Sequence, residues 1–455
     1  ALSKGEKYDE WRKIKRNEVD VVVGARSAIF APLDRLGLII LDEEHETTYK
    51  QEENPRYHAR DVAIWRARYH GCPVVLGSAT PSLESYARAQ KGVYRYLHLK
   101  ERYGGEMPPV HIIDMRRELA KGNTTMFSEE LFQGILDRIE KKEQCVILLN
   151  RRGFTTFVMC RDCGEGMTCP HCAVNLTYHQ YGDRLKCHYC GYEVGMPSTC
   201  PSCNSKKIKQ FGSGTQKIET ELLNRIPEAR IIRMDQDTTS RKGSHEQLLR
   251  RFEEGEADIL LGTQMIAKGL DFPNVTLVGV LAADATLGMP DFRATERTFQ
   301  LVTQVAGRAG RGKLPGEAFV QTYNPDHYVI ETASEHDYET FFAKEMGLRQ
   351  VGNHPPYWFL TLVTFSAENP LVAKAEAELF ASDFLQAHVE NSRLNGPMPA
   401  PLSKLKNAYR YQVFIKTKQP DTLYAELARL QQARAKAISK KEYQMSIDVN
   451  PYVFM

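Results

Sequence analysis

Eight of the ten cysteines in this 455-residue chain fall in four Cys-x-x-Cys pairs within 44 residues: Cys160/Cys163, Cys169/Cys172, Cys187/Cys190 and Cys200/Cys203. A Cys-x-x-Cys turn sets two thiolates on one side of a hairpin, and two such turns complete a tetrahedral site with no open position for catalysis. The octet therefore predicts two structural Zn2+ ions. A disulfide framework is the alternative, but the rest of the chain is cysteine-poor. It shows no signal peptide and no apolar run long enough to span a bilayer, the pattern of a reduced, cytoplasmic protein with no membrane partner. Two pairings are open. A nested one joins Cys169/Cys172 to Cys187/Cys190 and Cys160/Cys163 to Cys200/Cys203, whereas a cross-braced one alternates the pairs. Nesting is expected, because the inner four have zinc-ribbon spacing and the outer pairs stand where the insertion leaves and rejoins its host. His171, His188 and Tyr189 lie inside the turns and are read as neighbours, since eight thiolates suffice for two sites. Cys72 and Cys145 sit in apolar runs and are read as core.

A second chemistry stands upstream. Leu36-Gly-Leu-Ile-Ile-Leu41 runs into Asp42-Glu43-Glu44-His45, the pattern of a buried parallel strand delivering carboxylates at its C-terminal edge, where α/β folds place ligands. Asp42 suits Mg2+ held through its water shell. Glu43 suits the orientation of a water attacking a γ-phosphate, and His45, which closes the string, is read with them as a catalytic residue. A second apolar run, Val74-Val-Leu-Gly77, leads into Ser78-Ala-Thr80-Pro81, whose hydroxyls are placed to sense the acids one strand away. Between the two, Tyr49 to Asp61 mixes Tyr49, Lys50, Arg56, Tyr57, His58 and Arg60 with Pro55, a composition able to stack bases while contacting phosphates. Arg26 and Ser27, on a turn before the acids, and Thr263 further on are read as contacts to a nucleic-acid backbone.

The elements that complete this chemistry lie beyond the cysteines. Asp258-Ile-Leu-Leu-Gly-Thr263 reads as a strand and turn running into Gln264-Met-Ile-Ala-Lys-Gly-Leu-Asp271, followed by Gln304-Val-Ala-Gly-Arg308-Ala-Gly-Arg311. The two arginines, three apart, are expected on one helical face, a spacing suited to capture of phosphate oxygens. Length and 42% hydrophobic content give a globular chain of about three domains. The formal net charge is +3; eight zinc-bound thiolates and two divalent ions bring it to about −1. Net charge thus argues neither for nor against nucleic acid, and that case rests on local patches such as Arg151-Arg152 and Lys206-Lys207 at the neck of the cysteine window.

Pro355-Pro356 marks a boundary. Beyond it, Trp358 to Phe365 reads as a strand, Ala373 to Val389 as a helix, Tyr409 to Lys416 as a strand, Thr422 to Ala437 as a helix and Tyr443 to Val449 as a strand. One further strand before Tyr409 would make this βαββαβ, a split α+β sandwich. The connection from Gly396 to Tyr411, with Pro397, Pro399, Pro401, Lys404, Lys406 and Arg410, reads as an extended, basic strand-binding edge.

Taken in order, VGARSAIFAP (Val23 to Pro32), DEEH (Asp42 to His45), GSATPS (Gly77 to Ser82), GTQMIAKGLDF (Gly262 to Phe272) and QVAGRAGR (Gln304 to Arg311) resemble the superfamily 2 helicases. With the cysteine octet, YKQEENPRYHARD (Tyr49 to Asp61) and PDFRATERTFQL (Pro290 to Leu301), the resemblance narrows to the bacterial primosomal, replication-restart helicases and covers nearly the whole chain. It implies ATP-driven 3′ to 5′ translocation on single-stranded DNA and DNA forks, recognition of stalled forks, and assembly with single-stranded DNA-binding protein, primosome proteins and a helicase loader. ATP and Mg2+ would join zinc as cofactors. Asp42 and Glu43 would be the Mg2+ and catalytic-water residues, Gln304, Gly269 and Asp271 nucleotide contacts, and Arg308 and Arg311 arginine fingers. The loop from Tyr49 to Asp61 would couple DNA to the ATPase site.

The implied architecture is α/β: two RecA-like motor lobes, the first (1–125) incomplete, the second (126–350) carrying a double zinc-binding insertion (158–205), and a C-terminal α+β split sandwich (351–455). One departure stands out. The family's phosphate-binding loop, G-x-x-x-x-G-K-[ST], is not found. Gly212-Ser-Gly-Thr215 lacks the lysine, and Lys313 is followed by Leu314. The expectation is a fragment that lacks the N-terminal DNA-binding domains and the front of the first lobe, and that hydrolyses ATP poorly by itself. The competing reading is a non-hydrolysing, zinc-dependent DNA-binding and protein-docking module.

Overall fold

The structure, a computed structural model, describes residues 3–99, 107–150, 158–170, 175–179, 182–187, 191–210, 214–235, 238–239, 243–263, 266, 272–289, 291–310, 312 and 314–452. The chain divides into two compact units, one formed by Ala1–Arg95 together with Trp358–Met455, the other by Tyr96–Tyr357.

In the second unit, six parallel strands form one sheet in the order Ile231–Met234, Ile259–Gly262, Gln144–Leu149, Val275–Leu281, Glu317–Thr322, Val110–Asp114. All six positions of Gln144–Leu149 and all seven of Val275–Leu281 are buried, as uninterrupted apolar strands require when helices cover both faces. On one face Leu131, Phe132 and Ile135 of the helix Glu129–Glu140, with Ile218 and Leu222 of Thr215–Arg225, pack on Cys145, Ile147, Ile259 and Leu277. The helix Ala294–Ala306 packs against Val275–Leu281 and Glu317–Thr322, with Phe299, Val302 and Val305 buried. Because the strands are parallel, their C-terminal ends share one edge. Asn150, Thr263, Ala282 and Tyr323 follow there directly. The edge strand Val110–Asp114 belongs to this sheet, so the lobe begins before residue 126, the boundary expected from sequence. That strand is short and only partly buried, a weak signal beside the central strands.

The cysteine window leaves this unit through Val158–Cys160 and returns through Ile208–Gln210, which pair antiparallel and close its neck. Inside it, Thr177–His179, Arg184–Lys186 and Glu193–Gly195 make a three-stranded antiparallel meander.

The first unit contains two sheets. Ile39–Leu41 pairs in parallel with Val74–Leu76, and Ala59, Ala63 and Ala67 of the helix Ala59–His70 cover the side bearing Ile39 and Leu41. The sequence predicted a buried strand from Leu36. The observed strand is three residues long, and Ile40 is 63% exposed, because among the described residues only one face of this two-stranded sheet is covered.

The other sheet is antiparallel, in the order Ser392–Leu405, Ala408–Thr417, Phe359–Ala367, Gln444–Val449. With the helices Pro370–Gln386 and Pro420–Ala433 it is the expected βαββαβ sandwich. Ala373, Ala377, Phe380 and Phe384 recur at helical spacing and pack with Leu423, Leu427 and Leu430 on Val363, Phe365, Val413 and Ile415. The proline-rich segment is itself the edge strand. It turns back through Lys406 and Asn407, both at positive φ (49° and 63°), the geometry of a two-residue hairpin. Prolines are tolerated there because an edge strand has backbone donors to spare.

Among the described residues, no helix is long and apolar enough to cross a membrane.

Arg349 is among the largest fully buried side chains. Its guanidinium meets Glu296 at 2.6 Å and Glu345 at 3.2 Å and donates to the Pro355 carbonyl at 3.2 Å. The network ties the helix Ala294–Ala306 to Tyr338–Val351. Arg349→Met strands two buried carboxylates, and guanidinium chloride unfolding is expected to show a loss of about 3–5 kcal/mol.

Candidate nucleotide and metal centres

Asp42 begins the turn that follows Ile39–Leu41. Its Oδ1 accepts the Glu43 N–H at 2.9 Å, and Glu43 sits at φ +47°. A left-handed backbone is costly for a non-glycine residue and concentrates at functional sites. The turn is laced to the neighbouring Ser78-Ala-Thr80 segment. Glu44 N donates to the Gly77 carbonyl at 3.0 Å, and His45 Nδ1 lies 2.6 Å from Ser78 Oγ and 3.5 Å from a Glu43 carboxylate oxygen. Of the hydroxyls expected to sense the acids, Ser78 is the one in contact with His45.

Glu44 was assigned no role from sequence, yet it organises the region. Buried to 2% exposure, it accepts from Ser82 N (2.6 Å), Ser82 Oγ (3.1 Å) and Ser85 Oγ (2.8 Å), and pairs with Arg60 Nη1 at 3.2 Å. Burial works against the Arg60 charge, but Tyr452, Glu44 and Asp61 outweigh it and hold the guanidinium above its ordinary value. The paired, hydrogen-bonded state is what allows both charges to stay inside. The sequence signal was the second glutamate of the string together with Ser82 and Ser85.

The loop after the acids is folded inward. Tyr49 Oη donates to the Asp42 carbonyl at 2.7 Å, and burial, with Asp42 and Glu46 nearby, raises the phenol above its ordinary pKa. Arg26 donates to the carbonyls of Thr48 (2.9 Å) and Lys50 (2.7 Å) and lies over the Tyr57 ring at 5.8 Å.

Two expectations fail here. Lys50, predicted to meet DNA phosphate, is buried. Its ammonium pairs with Asp448 at 2.7 Å and donates to the Val449 carbonyl at 2.8 Å. His58, predicted likewise, is also buried; its Nδ1 caps the helix Ala59–His70 by accepting from Arg60 N, and its ring is 5.3 Å from Tyr452. The partners of Lys50 lie at the other end of the chain, beyond the reach of local pattern; the His58 cap is local, and only its packing against Tyr452 is distant. Arg56 is partly exposed and 3.6 Å from Asp448. Arg410 is half-buried in the strand Ala408–Thr417, and burial followed by the charge of Arg56 lowers its pKa. Lys404 and Lys406 lie at the exposed hairpin end, Lys404 over the Tyr409 ring at 5.0 Å.

In the second unit Thr263 follows Ile259–Gly262 at the C-terminal edge of the parallel sheet. Gln304 lies in the last turn of Ala294–Ala306, and the helix stops at Gly307. Arg308 therefore stands in a turn rather than on the predicted helical face, the glycines at 307 and 310 having ended the helix. Arg311, Gly269 and Asp271 lie outside the described residues.

The metal expectation has firmer geometry. One ligand atom each from Cys160, Cys163, Cys200 and Cys203 lie within 4.8 Å of one another, with Cys160–Cys203 and Cys163–Cys200 sulfur distances of 3.6 Å. A tetrahedral zinc with bonds near 2.3 Å needs sulfurs about 3.8 Å apart, so the four thiols fit the ion, and the outer pairs join as nesting requires. Burial opposes ionisation of Cys200, but the backbone N–H groups of Cys203 and Ser202 bring it down to about 7, whereas burial pushes the Cys163 thiol up to about 12, so without an ion the cluster holds its protons unevenly. Of the inner four, Cys169 and Cys187 are buried, while Cys172 and Cys190 lie outside the described residues.

The zinc knuckle is seated on the lobe. Arg161 donates to Tyr323 Oη at 2.6 and 3.1 Å. Gly164 has φ +78°, and a Cβ there would collide with the Tyr323 carbonyl and the Asn324 side chain. Tyr323 N and Asn324 Nδ2 in turn donate to the buried Asp284 at 2.8 and 3.0 Å.

Residues 202–313 match the profile described as the helicase conserved C-terminal domain, which sets the parallel-sheet lobe in the helicase class. Residues 169–194 match the PriA DNA helicase Cys-rich region, and 350–452 the primosomal protein N C-terminal domain. The replication restart protein PriA of Bacillus subtilis (strain 168) is 59% identical over 457 residues, 100% of this chain and 57% of that protein. Those of Synechocystis sp. and Chlamydia pneumoniae are each 44% identical, over 99% and 91% of this chain and 55% and 56% of those proteins. The chain belongs to the PriA family, and it spans a little over half the length of these relatives. RecG bound to a three-way DNA junction aligns over 77% of this chain and 35% of that one, at 14% identity and a TM-score of 0.36, too low a similarity to add to the assignment.

Elemental analysis of the purified chain is expected to give two zincs. Cys163→Ser with Cys203→Ser damages one site in the nested arrangement and should leave one zinc, whereas cross-bracing would damage both.

Proposed function

We propose that this chain is the larger part of an ATP-driven DNA helicase that translocates 3′ to 5′, acts at stalled or abandoned replication forks in the cytoplasm, and initiates primosome assembly. The observation that carries this reading is the Asp42–Glu43 turn. Two adjacent carboxylates stand at the end of a parallel strand, one of them held at positive φ, with His45 in contact with Ser78 on the neighbouring segment.

In this reading Asp42 holds Mg2+ through its water shell and Glu43 orients the attacking water. His45 hands the state of the turn to Ser78. Gln304, Gly269 and Asp271 contact nucleotide, and Arg308 and Arg311 neutralise charge that develops on the transferred phosphoryl group. Arg26, Tyr49, Arg56, Tyr57, Thr263, Lys404, Lys406 and Arg410 form the DNA-facing set, working through phosphate contact and base stacking rather than base reading. Two zincs fold the cysteine window, which is too small to build a core of its own. DNA forks, single-stranded DNA-binding protein, primosome proteins and a helicase loader are the inferred partners.

A second reading, a non-hydrolysing zinc-dependent DNA-binding and docking module, is favoured for this chain taken alone by one observation, the missing G-x-x-x-x-G-K-[ST] sequence. The two are separated by turnover. This chain is expected to hydrolyse ATP near background with or without forked DNA. Extended by the portion of the Bacillus subtilis relative that it does not cover, it should show DNA-dependent hydrolysis, and Glu43→Gln in that longer protein should lower kcat by about 10²–10⁴-fold. DNA-stimulated turnover by the present chain would overturn the second reading. Turnover in the longer protein indifferent to Glu43 would overturn the first.

A further inference from the structure

Asp448 lies on the closing strand Gln444–Val449, opposite Leu362 of the central strand. Its neighbours Met445 and Ile447 pack with the helix-side core. By strand alternation Asp448 belongs to the other face, where Lys50 and Arg56 reach it at 2.7 and 3.6 Å. The side chains of Lys50 and Asp448 are 3% and 2% exposed. From this pair a short run of contacts leads back to the acids. Lys50 and His58 form an antiparallel bridge, and Gln51 N donates to the Tyr57 carbonyl at 2.8 Å, so the loop is a closed hairpin rather than a loose excursion. Arg26 grips the carbonyls on either side of Tyr49, and Tyr49 Oη holds the Asp42 carbonyl.

We propose that Asp448 is a positioning residue for the nucleotide site: through Lys50 and Tyr49, the C-terminal sheet sets the conformation of the turn that carries Asp42 and Glu43. This rests on the reading of those acids given above and adds a role for the C-terminal domain that lies outside DNA contact. The physical reason is the cost of leaving a buried ammonium unpaired. Lys50 stays inside only while Asp448 faces it, so a C-terminal sheet displaced from the loop releases Lys50 to water and takes the Tyr49 anchor with it. An apolar contact in the same place would tolerate sliding, whereas a 2.7 Å ion pair closed by the Val449 carbonyl has one register.

The test is Asp448→Asn, which keeps the shape and removes the charge. In this chain, amide hydrogen exchange of residues 42–51 is expected to quicken about tenfold, a typical coupling between linked sites, while the helices Pro370–Gln386 and Pro420–Ala433 keep their protection. The neutral pair, Lys50→Met with Asp448→Asn, leaves no ammonium to strand and should restore it. In the longer protein described above, kcat for ATP should fall about tenfold or more through misplacement of the acids, with KM for ATP unchanged, and the neutral pair should recover it.

Unchanged exchange of 42–51, or faster exchange spread equally over the two helices, would overturn the proposal, as would a neutral pair that restores nothing. Should the longer wild-type protein show no turnover, the helicase reading fails while the exchange result still decides the role of Asp448.

Discussion

Buried charge must be paired, and that requirement shapes the first unit. Glu44 and Arg60 sit in the interior beside Asp42 and Glu43, and Lys50 and Asp448 sit in the interior beside the C-terminal sheet. Each ion would abandon its site if its partner moved, since an unpaired buried charge costs several kcal/mol. The first pair fixes where the turn after Ile39–Leu41 lies against Ser82 and Ser85. The second fixes where the following loop lies against the closing strand. Between them Asp42 and Glu43 are held from both sides, which is what a strained, positive-φ residue at position 43 requires in order to persist.

The second unit solves a different problem with a different device. Its parallel sheet is packed chiefly by apolar side chains, and the buried Arg349, paired with Glu296 and Glu345, ties two of the unit's helices together. What needs definition is the small cysteine-rich excursion on its C-terminal edge, which has little apolar surface of its own. Four thiols supply the folding constraint at the neck, and the Tyr323-Asn324 turn, itself held by Asp284, supplies the seat. The knuckle is thereby continuous with the lobe rather than tethered to it.

The legibility of these features in the sequence follows their range. The C-terminal sandwich was readable almost residue by residue, since amphipathic periodicity is local: a helix expected at 373–389 lies at Pro370–Gln386, and the strand expected at 443–449 lies at Gln444–Val449. The cysteine spacing left two zinc pairings open, and it is the neck formed by Val158–Cys160 and Ile208–Gln210 that brings the expected outer pairs together. The proline-rich edge strand was under-read because its composition mimics a loop, and only a neighbouring strand can show that its prolines sit where no donor is needed. Arg308 was misread as helical because the helix Ala294–Ala306 stops at Gly307, one residue before it. Lys50 illustrates the real limit. Its contact with the Val449 carbonyl spans 399 positions, and nothing in a basic, aromatic loop announces that one of its lysines is bound for the interior.

The account turns on the Asp42–Glu43 turn being the Mg2+-nucleotide site. The most direct measurement is a crystal structure of the longer protein with a non-hydrolysable ATP analogue and Mn2+ in place of Mg2+, the metal located by its anomalous scattering. The account predicts the ion one water shell from the Asp42 carboxylate, about 4–5 Å away, and lost in Asp42→Asn. An ion bound elsewhere, or one unaffected by that substitution, would contradict it.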